Sequence, residues 1–319
     1  MRRRQEGESR PMEQLEGRIV KATGGFYYVQ TDQKRLECRA RGLFRKEGTT
    51  PYVGDLVQVE PTQPGQGYLV GIAPRKNSLV RPPLANIDRL ALVVSTTQPE
   101  PNALVLDTML AIACRREIPA LLLFTKSDLC RREELAAVYR GAGFPVVEVS
   151  SKTGEGLEEV RGLLQGGLVA LSGNSGAGKS SLLNALFPGL QLPTAAISDK
   201  LGRGRHTTRH VELYPLPGGG WVADTPGFSA VELEQYGLMT KDQLQYCFPE
   251  FEPYLLQCRF TGCSHTKEKG CAVLEAVERG EIAPGRHQSY CALYDQLKEI
   301  KEWDPRFSQE KEGRRPRPE

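Results

Sequence analysis

The residues best suited to chemistry form the run Gly173-Asn174-Ser175-Gly176-Ala177-Gly178-Lys179-Ser180, followed by Ser181. The run matches the phosphate-binding pattern G-x-x-x-x-G-K-[ST] at every fixed position. Glycines let backbone amides curl around phosphate oxygens, and the N-terminus of a following helix faces the negative charge. On this reading Lys179 reaches the β- and γ-phosphates of a nucleoside triphosphate and Ser180 holds Mg2+. Asp224-Thr225-Pro226-Gly227 follows about fifty residues later. Its carboxylate suits a hold on the magnesium through the outer coordination sphere, and the Gly227 amide meets the γ-phosphate. Between them lies Gly202-Arg203-Gly204-Arg205-His206-Thr207-Thr208. Either Thr207 or Thr208 can close over Mg2+ and γ-phosphate, ordering the loop only in the triphosphate state.

A second group of residues addresses the base. Thr125-Lys126-Ser127-Asp128 resembles the Asn-Lys-x-Asp motif of GTPases, in which the carboxylate pairs with two guanine N–H donors. Adenine would leave that carboxylate unpaired, so Asp128 selects guanine. Thr125 departs from the usual Asn. Ser150-Ser151-Lys152 resembles the Ser-Ala-Lys loop that contacts the guanine carbonyl.

A third constellation is Cys258-x4-Cys263-x-His265-x5-Cys271. Three thiolates and one imidazole suit tetrahedral Zn2+, and four protein ligands leave no open position, which favours a structural ion. Cys247 and Cys291 lie outside this spacing and read as core. A disulfide framework is not expected in a chain of this size with a cytosolic home.

These residues need elements to position them. Gly17–Val20, Gly25–Val29 and Asp55–Val59 read as strands in a short, Gly-punctuated region. About five strands between Leu15 and Ala73 fit a small barrel, of which the OB-fold is the commonest basic example; an SH3-like barrel gives a similar pattern. From Ile87 apolar runs alternate with helical stretches. The runs are Leu90–Ser95, Ala120–Phe124, Val146–Val149 and Leu168–Leu171; the helices are Leu104–Arg116, Arg131–Gly141, Gly156–Leu164 and, after the phosphate loop, Ser181–Leu186. That alternation predicts a parallel sheet covered on both faces. Val211–Leu216 and Trp221–Ala223 read as a hairpin turned at Gly218-Gly219-Gly220. Each nucleotide motif then falls at a strand end. Beyond Gly227 the pattern is helical to about Trp303.

The predicted organisation is multidomain: a disordered arm over 1–14, a β-barrel (OB-fold) over 15–82, an α/β P-loop GTPase domain over 83–232, a helical zinc-binding domain over 233–303 and a disordered tail over 304–319. Charge follows these boundaries. The net charge of +3 hides eleven Lys/Arg against six Asp/Glu over 15–82, fourteen against fifteen over 83–232 and eight against eleven over 233–303. A basic barrel on a near-neutral core suggests an anionic partner. Lys34, Arg35, Arg39, Arg41, Arg45 and Lys46 could contact phosphates. Phe26, Tyr27, Tyr28 and Phe44 could stack on bases, although at least half of them read as barrel core. No run approaches the roughly 20 apolar residues of a membrane span, and the first residues lack a signal-peptide core, so a cytoplasmic home is expected.

Chain order is the remaining signal. In ordinary small GTPases the phosphate loop comes first, whereas here Asp128 and Ser151 precede Gly173 and Asp224 comes last. Barrel, circularly permuted GTPase and Cys-Cys-His-Cys segment together resemble the small ribosomal subunit biogenesis GTPases (RsgA/YjeQ) from about Leu15 to Trp303. The resemblance implies a GTP-hydrolysing factor that binds the small (30S) subunit late in its maturation. It further implies barrel contacts to rRNA, stimulation by the ribosome and release on hydrolysis. The expected partners are the subunit, its rRNA and GTP/GDP; no membrane is expected, and the chain is expected to be a monomer. The position just after the Asp-Thr-Pro-Gly motif, where many GTPases carry a water-positioning Gln, is Phe228, which has no polar atom. His206 is the candidate to orient the water, and Arg203 or Arg205 could stabilise transition-state charge. Two other readings stand beside this one. A non-enzymatic RNA-binding module would bind GTP without turnover, and a P-loop ATPase or kinase would require ATP to compete with GTP despite Asp128.

Overall fold

The computed structural model describes residues 14–42, 44, 48–192, 211–225 and 239–299. Five strands form a closed barrel: β1 (Leu15–Thr23), β2 (Phe26–Thr31), β3 (Arg35–Ala40), β4 (Leu56–Gln63) and β5 (Gln66–Ile72). Their order is β1-β2-β3-β5-β4, with β4 closing onto β1 and β3 running parallel to β5. The period-2 pattern sets the interior: on β3, Leu36 and Cys38 are buried while Arg35 and Arg39 are exposed. A short antiparallel pair, β6 (Ser78–Val80) and β7 (Pro83–Ala85), links the barrel to the next layer. It has no counterpart in the sequence reading.

The second layer is a six-stranded sheet in the order β10-β9-β8-β11-β13-β12. It comprises β8 (Arg89–Ser95), β9 (Ala120–Thr125), β10 (Val146–Val149), β11 (Leu168–Ser172), β12 (Leu213–Pro215) and β13 (Trp221–Asp224). All pairings are parallel except β12 with β13. The crossover helices are α1 (Ala103–Arg115), α2 (Glu133–Gly141), α3 (Leu157–Leu164) and α4 (Lys179–Leu186). The sheet is buried on both faces, which explains its nearly unbroken apolar strands. Along β8, Leu90, Leu92 and Val94 join one core cluster while Ala91 and Val93 join the other.

The third layer contains α5 (Lys241–Leu244), α6 (Ala272–Glu278) and α7 (Pro284–Lys298), with two 3-10 turns at Gln245–Cys247 and Pro249–Tyr254. It packs on α1 and shares a core with it through Met109, Phe248, Phe251 and Tyr290. A buried ion pair crosses this contact: Arg286 Nη1 lies 2.6 Å from Asp107 Oδ1, and Arg286 Nε 2.7 Å from Glu250 Oε1. Arg286 and Asp107 are 2% and 1% exposed. Removing one member of such a trio strands a buried charge, which costs about 3–5 kcal/mol.

The strand and helix expectations agree with these elements to within a few residues. The arm before residue 14, the tail from residue 304, and Arg45 and Lys46 lie outside the described residues.

Candidate functional site

In a parallel sheet every strand ends on the same side, and ligands gather there. Here β9 ends at Thr125, β10 at Val149, β11 at Ser172 and β13 at Asp224. The sheet therefore brings Thr125–Asp128, Ser150–Lys152, Gly173–Ser180 and Asp224 to one edge, in an order the chain does not follow.

The loop between β11 and α4 is held by backbone constraints that only glycine meets. A Cβ on Gly173 would sit 2.3 Å from the Val93 carbonyl oxygen, and Gly178, at φ +94°, caps α4 in the left-handed region. No side chain caps that helix, so its first N–H groups face the loop. Ser175 and Gly176 form the exposed turn, flanked by the half-buried Asn174 and the buried Ala177. Lys179 Nζ donates to the carbonyls of Gly173 (2.5 Å) and Asn174 (3.3 Å). Burial lowers the Lys179 pKa and the Asp224 charge opposes that shift. Burial raises the Asp224 pKa against the pull of Lys179. Asp224 Oδ1 and Ser172 Oγ are buried without a hydrogen-bond partner. Ser180 and Asp224 offer only oxygen donors, one of them orphaned and charged; this fits Mg2+, a hard cation that prefers oxygen.

The base-side loops are tied to the phosphate side and to each other. Thr125 Oγ1 donates to the Ala177 carbonyl at 2.6 Å, and Lys126 Nζ to the Gly176 carbonyl at 2.9 Å. Lys126 adopts φ +63° to make this turn. Ser150 Oγ donates to Asp128 Oδ1 at 2.7 Å and accepts the Lys152 and Thr153 amides at 3.2 and 3.1 Å. Asp128 and Lys152 are exposed, Ser150 is buried and Ser151 is half-buried. Ser127 Oγ donates to Glu155 Oε2 at 3.3 Å, a partner the sequence did not reveal. Ser181 is exposed on the first turn of α4. Arg203, Arg205, His206, Thr207, Thr208, Gly227 and Phe228 lie outside the described residues.

The ligand atoms of Cys258, Cys263, His265 and Cys271 all lie within 4.8 Å of one another. His265 Nδ1 is 3.5 Å from Cys258 Sγ and 3.4 Å from Cys271 Sγ, and those sulfurs are 3.9 Å apart. Tetrahedral zinc with bonds of about 2.0–2.3 Å sets its ligand atoms about 3.5–3.8 Å apart. The cluster could hold such an ion. His265 Nε2 donates to Gln245 Oε1 at 2.8 Å, which fixes the tautomer and leaves Nδ1 facing the thiols. Glu268 accepts the backbone amides of Ser264 (2.9 Å), Thr266 (3.1 Å) and Lys267 (3.1 Å). Its position inside the Cys/His span was the only clue to that role, and nothing in the sequence pointed to Gln245. Cys247 is buried and Cys291 packs against the core.

The barrel carries a row of stacked cations. The guanidinium of Arg39 lies 4.6 Å from the Phe26 ring centre, that of Arg35 5.1 Å from Tyr28, and that of Arg41 5.9 Å from Tyr68. Of the four aromatics noted in the sequence, Phe44 is buried, Tyr27 and Tyr28 are half-buried against the core, and Phe26 is half-buried beneath Arg39.

Comparison with known proteins adds a lineage to this geometry. The family model for the RsgA GTPase matches residues 72–234, and that for the RsgA N-terminal domain matches residues 16–69. The chain is 45% identical over 298 residues to the small ribosomal subunit biogenesis GTPase RsgA of Caldanaerobacter subterraneus subsp. tengcongensis, covering 92% of this chain and 99% of that one. Against the protein of the same name from Geobacillus thermodenitrificans identity is 47%, with the same coverage. Among solved structures, YjeQ from Thermotoga maritima superposes with a TM-score of 0.74 at 32% identity, over 91% of this chain and 100% of that one. YloQ, a circularly permuted GTPase, does so with a TM-score of 0.72 at 36% identity, over 94% and 99%.

Proposed function

The chain belongs to the RsgA GTPase family and is a GTPase; from that premise we propose that it acts on the small ribosomal subunit late in its maturation, is stimulated by that subunit and leaves it on hydrolysis. The relatives at 45–47% identity are named for small ribosomal subunit biogenesis. The observation that carries the reading is the shared sheet edge, where a phosphate loop, a guanine-type loop and a carboxylate with an orphaned oxygen converge, in a chain that also carries a basic barrel.

In this assignment the amides of Gly173–Gly178 cradle the β- and γ-phosphates, and Lys179 exchanges its loop carbonyls for phosphate oxygens. Ser180 and Asp224 hold Mg2+, which supplies charge neutralisation at the phosphates. Asp128 pairs with the guanine N–H donors, and Ser150–Lys152 meets the guanine carbonyl. Thr125 and Lys126 set the spacing between base and phosphate loops. Thr207 or Thr208, Gly227 and His206 complete the γ-phosphate side, with His206 orienting the attacking water. Cys258, Cys263, His265 and Cys271 hold one structural Zn2+, and the Arg35–Arg39–Arg41 row contacts rRNA. The protein works in the cytoplasm as a monomer.

The test is steady-state GTP hydrolysis by the purified chain with small subunits, and with large subunits as control. Slow basal turnover accelerated only by small subunits supports the reading. Equal rates in all three conditions, with GTP binding intact, overturn it. His206→Ala then examines the water-orienting role: unchanged stimulated turnover rejects it.

A further inference from the structure

Barrel and nucleotide domain share a carboxylate contact that neither the sequence motifs nor the proposed assignment uses. Glu212 Oε2 lies 2.7 Å from Lys21 Nζ, and its Oε1 lies 3.4 Å from Arg35 Nη2. Both cations belong to the barrel, Lys21 on β1 and Arg35 on β3. A backbone bridge pairs Lys21 with Glu212 antiparallel, so strand β1 touches the chain as it enters β12. From there β12 runs against β13 in the register Leu213↔Ala223 and Tyr214↔Val222. Continued by one position, that register sets Glu212 towards Asp224, the residue with the orphaned carboxylate oxygen, and Tyr214 feels the charge of both. Burial raises the Tyr214 pKa, and the charges of Glu212 and then Asp224 raise it further.

Arg35 also belongs to the barrel's outer row. It shares the exposed face of β3 with Arg39 and stacks on Tyr28. A strand of phosphates laid along that row meets Arg35 while Glu212 is holding it. The side chains of Lys21, Arg35 and Glu212 are 34%, 44% and 27% exposed, so these ion pairs are open to competition.

We propose that Glu212 is a positioning residue that couples the barrel's polyanion site to the nucleotide site. RNA phosphates take Lys21 and Arg35 from Glu212, leaving its charge uncompensated across the strand pair from Asp224. That added negative charge strengthens the hold on the divalent cation that accompanies the nucleotide. Coupling between two binding sites is reciprocal, so nucleotide must tighten RNA binding by the same factor. Partly exposed ion pairs limit the effect to about three- to fivefold. The inference rests on the reading that the barrel binds RNA.

The experiment uses the full chain, a fluorescent single-stranded RNA of about twelve nucleotides, which fits one OB-type barrel, and a non-hydrolysable GTP analogue with Mg2+. RNA affinity is measured with and without nucleotide, and nucleotide affinity with and without RNA. The wild type should show about three- to fivefold coupling in both directions. Glu212→Gln should bind RNA about two- to fivefold more tightly without nucleotide, because its two cations are free, and its coupling should vanish. Lys21→Gln/Arg35→Gln should also lose coupling while binding RNA more weakly. Opposite shifts in RNA affinity with a common loss of coupling are not what a general loosening of the interface gives, and thermal melting checks that each variant is folded. Coupling that survives Glu212→Gln, or its absence from a wild type that binds RNA, overturns the proposal and leaves the rRNA reading standing. A wild type that binds neither this RNA nor small subunits overturns both.

Discussion

The Cys/His cluster and the sheet edge are both built from polar groups gathered between apolar layers, yet they treat those groups in opposite ways. Around His265 each named group has a protein partner: Nε2 has Gln245, its carbonyl has His287 at 2.7 Å, and Tyr290 donates to the Ser264 carbonyl at 3.0 Å. At the sheet edge Asp224 Oδ1 and Ser172 Oγ have none, and Lys179 is occupied with its own loop. Unpaired buried polar groups are expensive in a folded chain. At the sheet edge a ligand can pair with them, whereas around His265 the protein itself closes the site; Asp107 Oδ2, in the buried ion pair with Arg286, is also unpartnered. For these two regions, satisfaction of the neighbouring groups distinguishes the closed site from the open one without reference to any motif.

The largest expected effects fall on one region and spare the other. Lys179→Ala removes the cation aimed at the transferred phosphate and should lower GTP turnover by about 10²–10³-fold. Metal content and melting temperature should hardly move; single-turnover hydrolysis with metal analysis checks this. Cys271→Ser should do the reverse. Loss of one thiolate from a closed four-ligand site should empty it and destabilise the C-terminal layer by at least about 5 kcal/mol. GTP affinity should change by less than about twofold, as for sites with no shared partner. Zinc stoichiometry, melting and nucleotide titration together read the outcome. If Cys271→Ser abolishes GTP binding as well, the two regions are one unit and the contrast fails.

What the sequence revealed follows how local each signal is. The strands of the sheet were legible because burial on both faces leaves continuous apolar runs such as Leu168–Leu171. The Cys258–Cys271 set was legible because its ligands fall within one short span. The barrel's strand order was not, since the parallel pairing of β3 with β5 depends on tertiary closure and an SH3-like pattern reads much the same. The pair β6 and β7, three residues each, is too short to show a period. The contacts that join the layers were invisible for a plainer reason. Lys21 and Glu212 are 191 residues apart, and Arg286 and Asp107 are 179 apart, so only the fold brings them together.

A smaller effect sharpens the contrast by its sign. Asp224 has a raised pKa, caused first by burial, from an ordinary value of 3.8. The folded chain thus binds its proton more tightly than the unfolded one. Stability of the nucleotide-free protein is fully kept below that ordinary value and declines as pH rises through the raised one. Asp224→Asn removes the charge while keeping the shape. It should stabilise the nucleotide-free protein by about 1 kcal/mol at neutral pH, and the gain should vanish as pH falls below 3.8, where the carboxyl is protonated in both the folded and the unfolded chain. Turnover should fall at the same time. Melting curves of the two proteins across this range, without nucleotide, test the sign; a destabilised Asn variant would place Asp224 among the structural groups.

The smallest expected effect concerns Thr125, where the guanine-type loop departs from Asn. Its hydroxyl is buried and donates to the Ala177 carbonyl at 2.6 Å, so the shorter side chain still ties the base loop to the phosphate loop. Thr125→Val keeps the shape and removes that donor, leaving a buried carbonyl short of its partner at a cost of about 1–1.5 kcal/mol. Because the lost bond orients two loops, the cost should appear as about five- to tenfold weaker GTP binding. Asn can in principle make the same bond with its amide, so Thr125→Asn should bind GTP within about threefold of the wild type. Parallel titrations of the three proteins with a fluorescent GTP analogue measure both differences. Equal affinity for wild type and Thr125→Val would show that Lys126, through its own bond to the Gly176 carbonyl, holds the two loops together without help from Thr125.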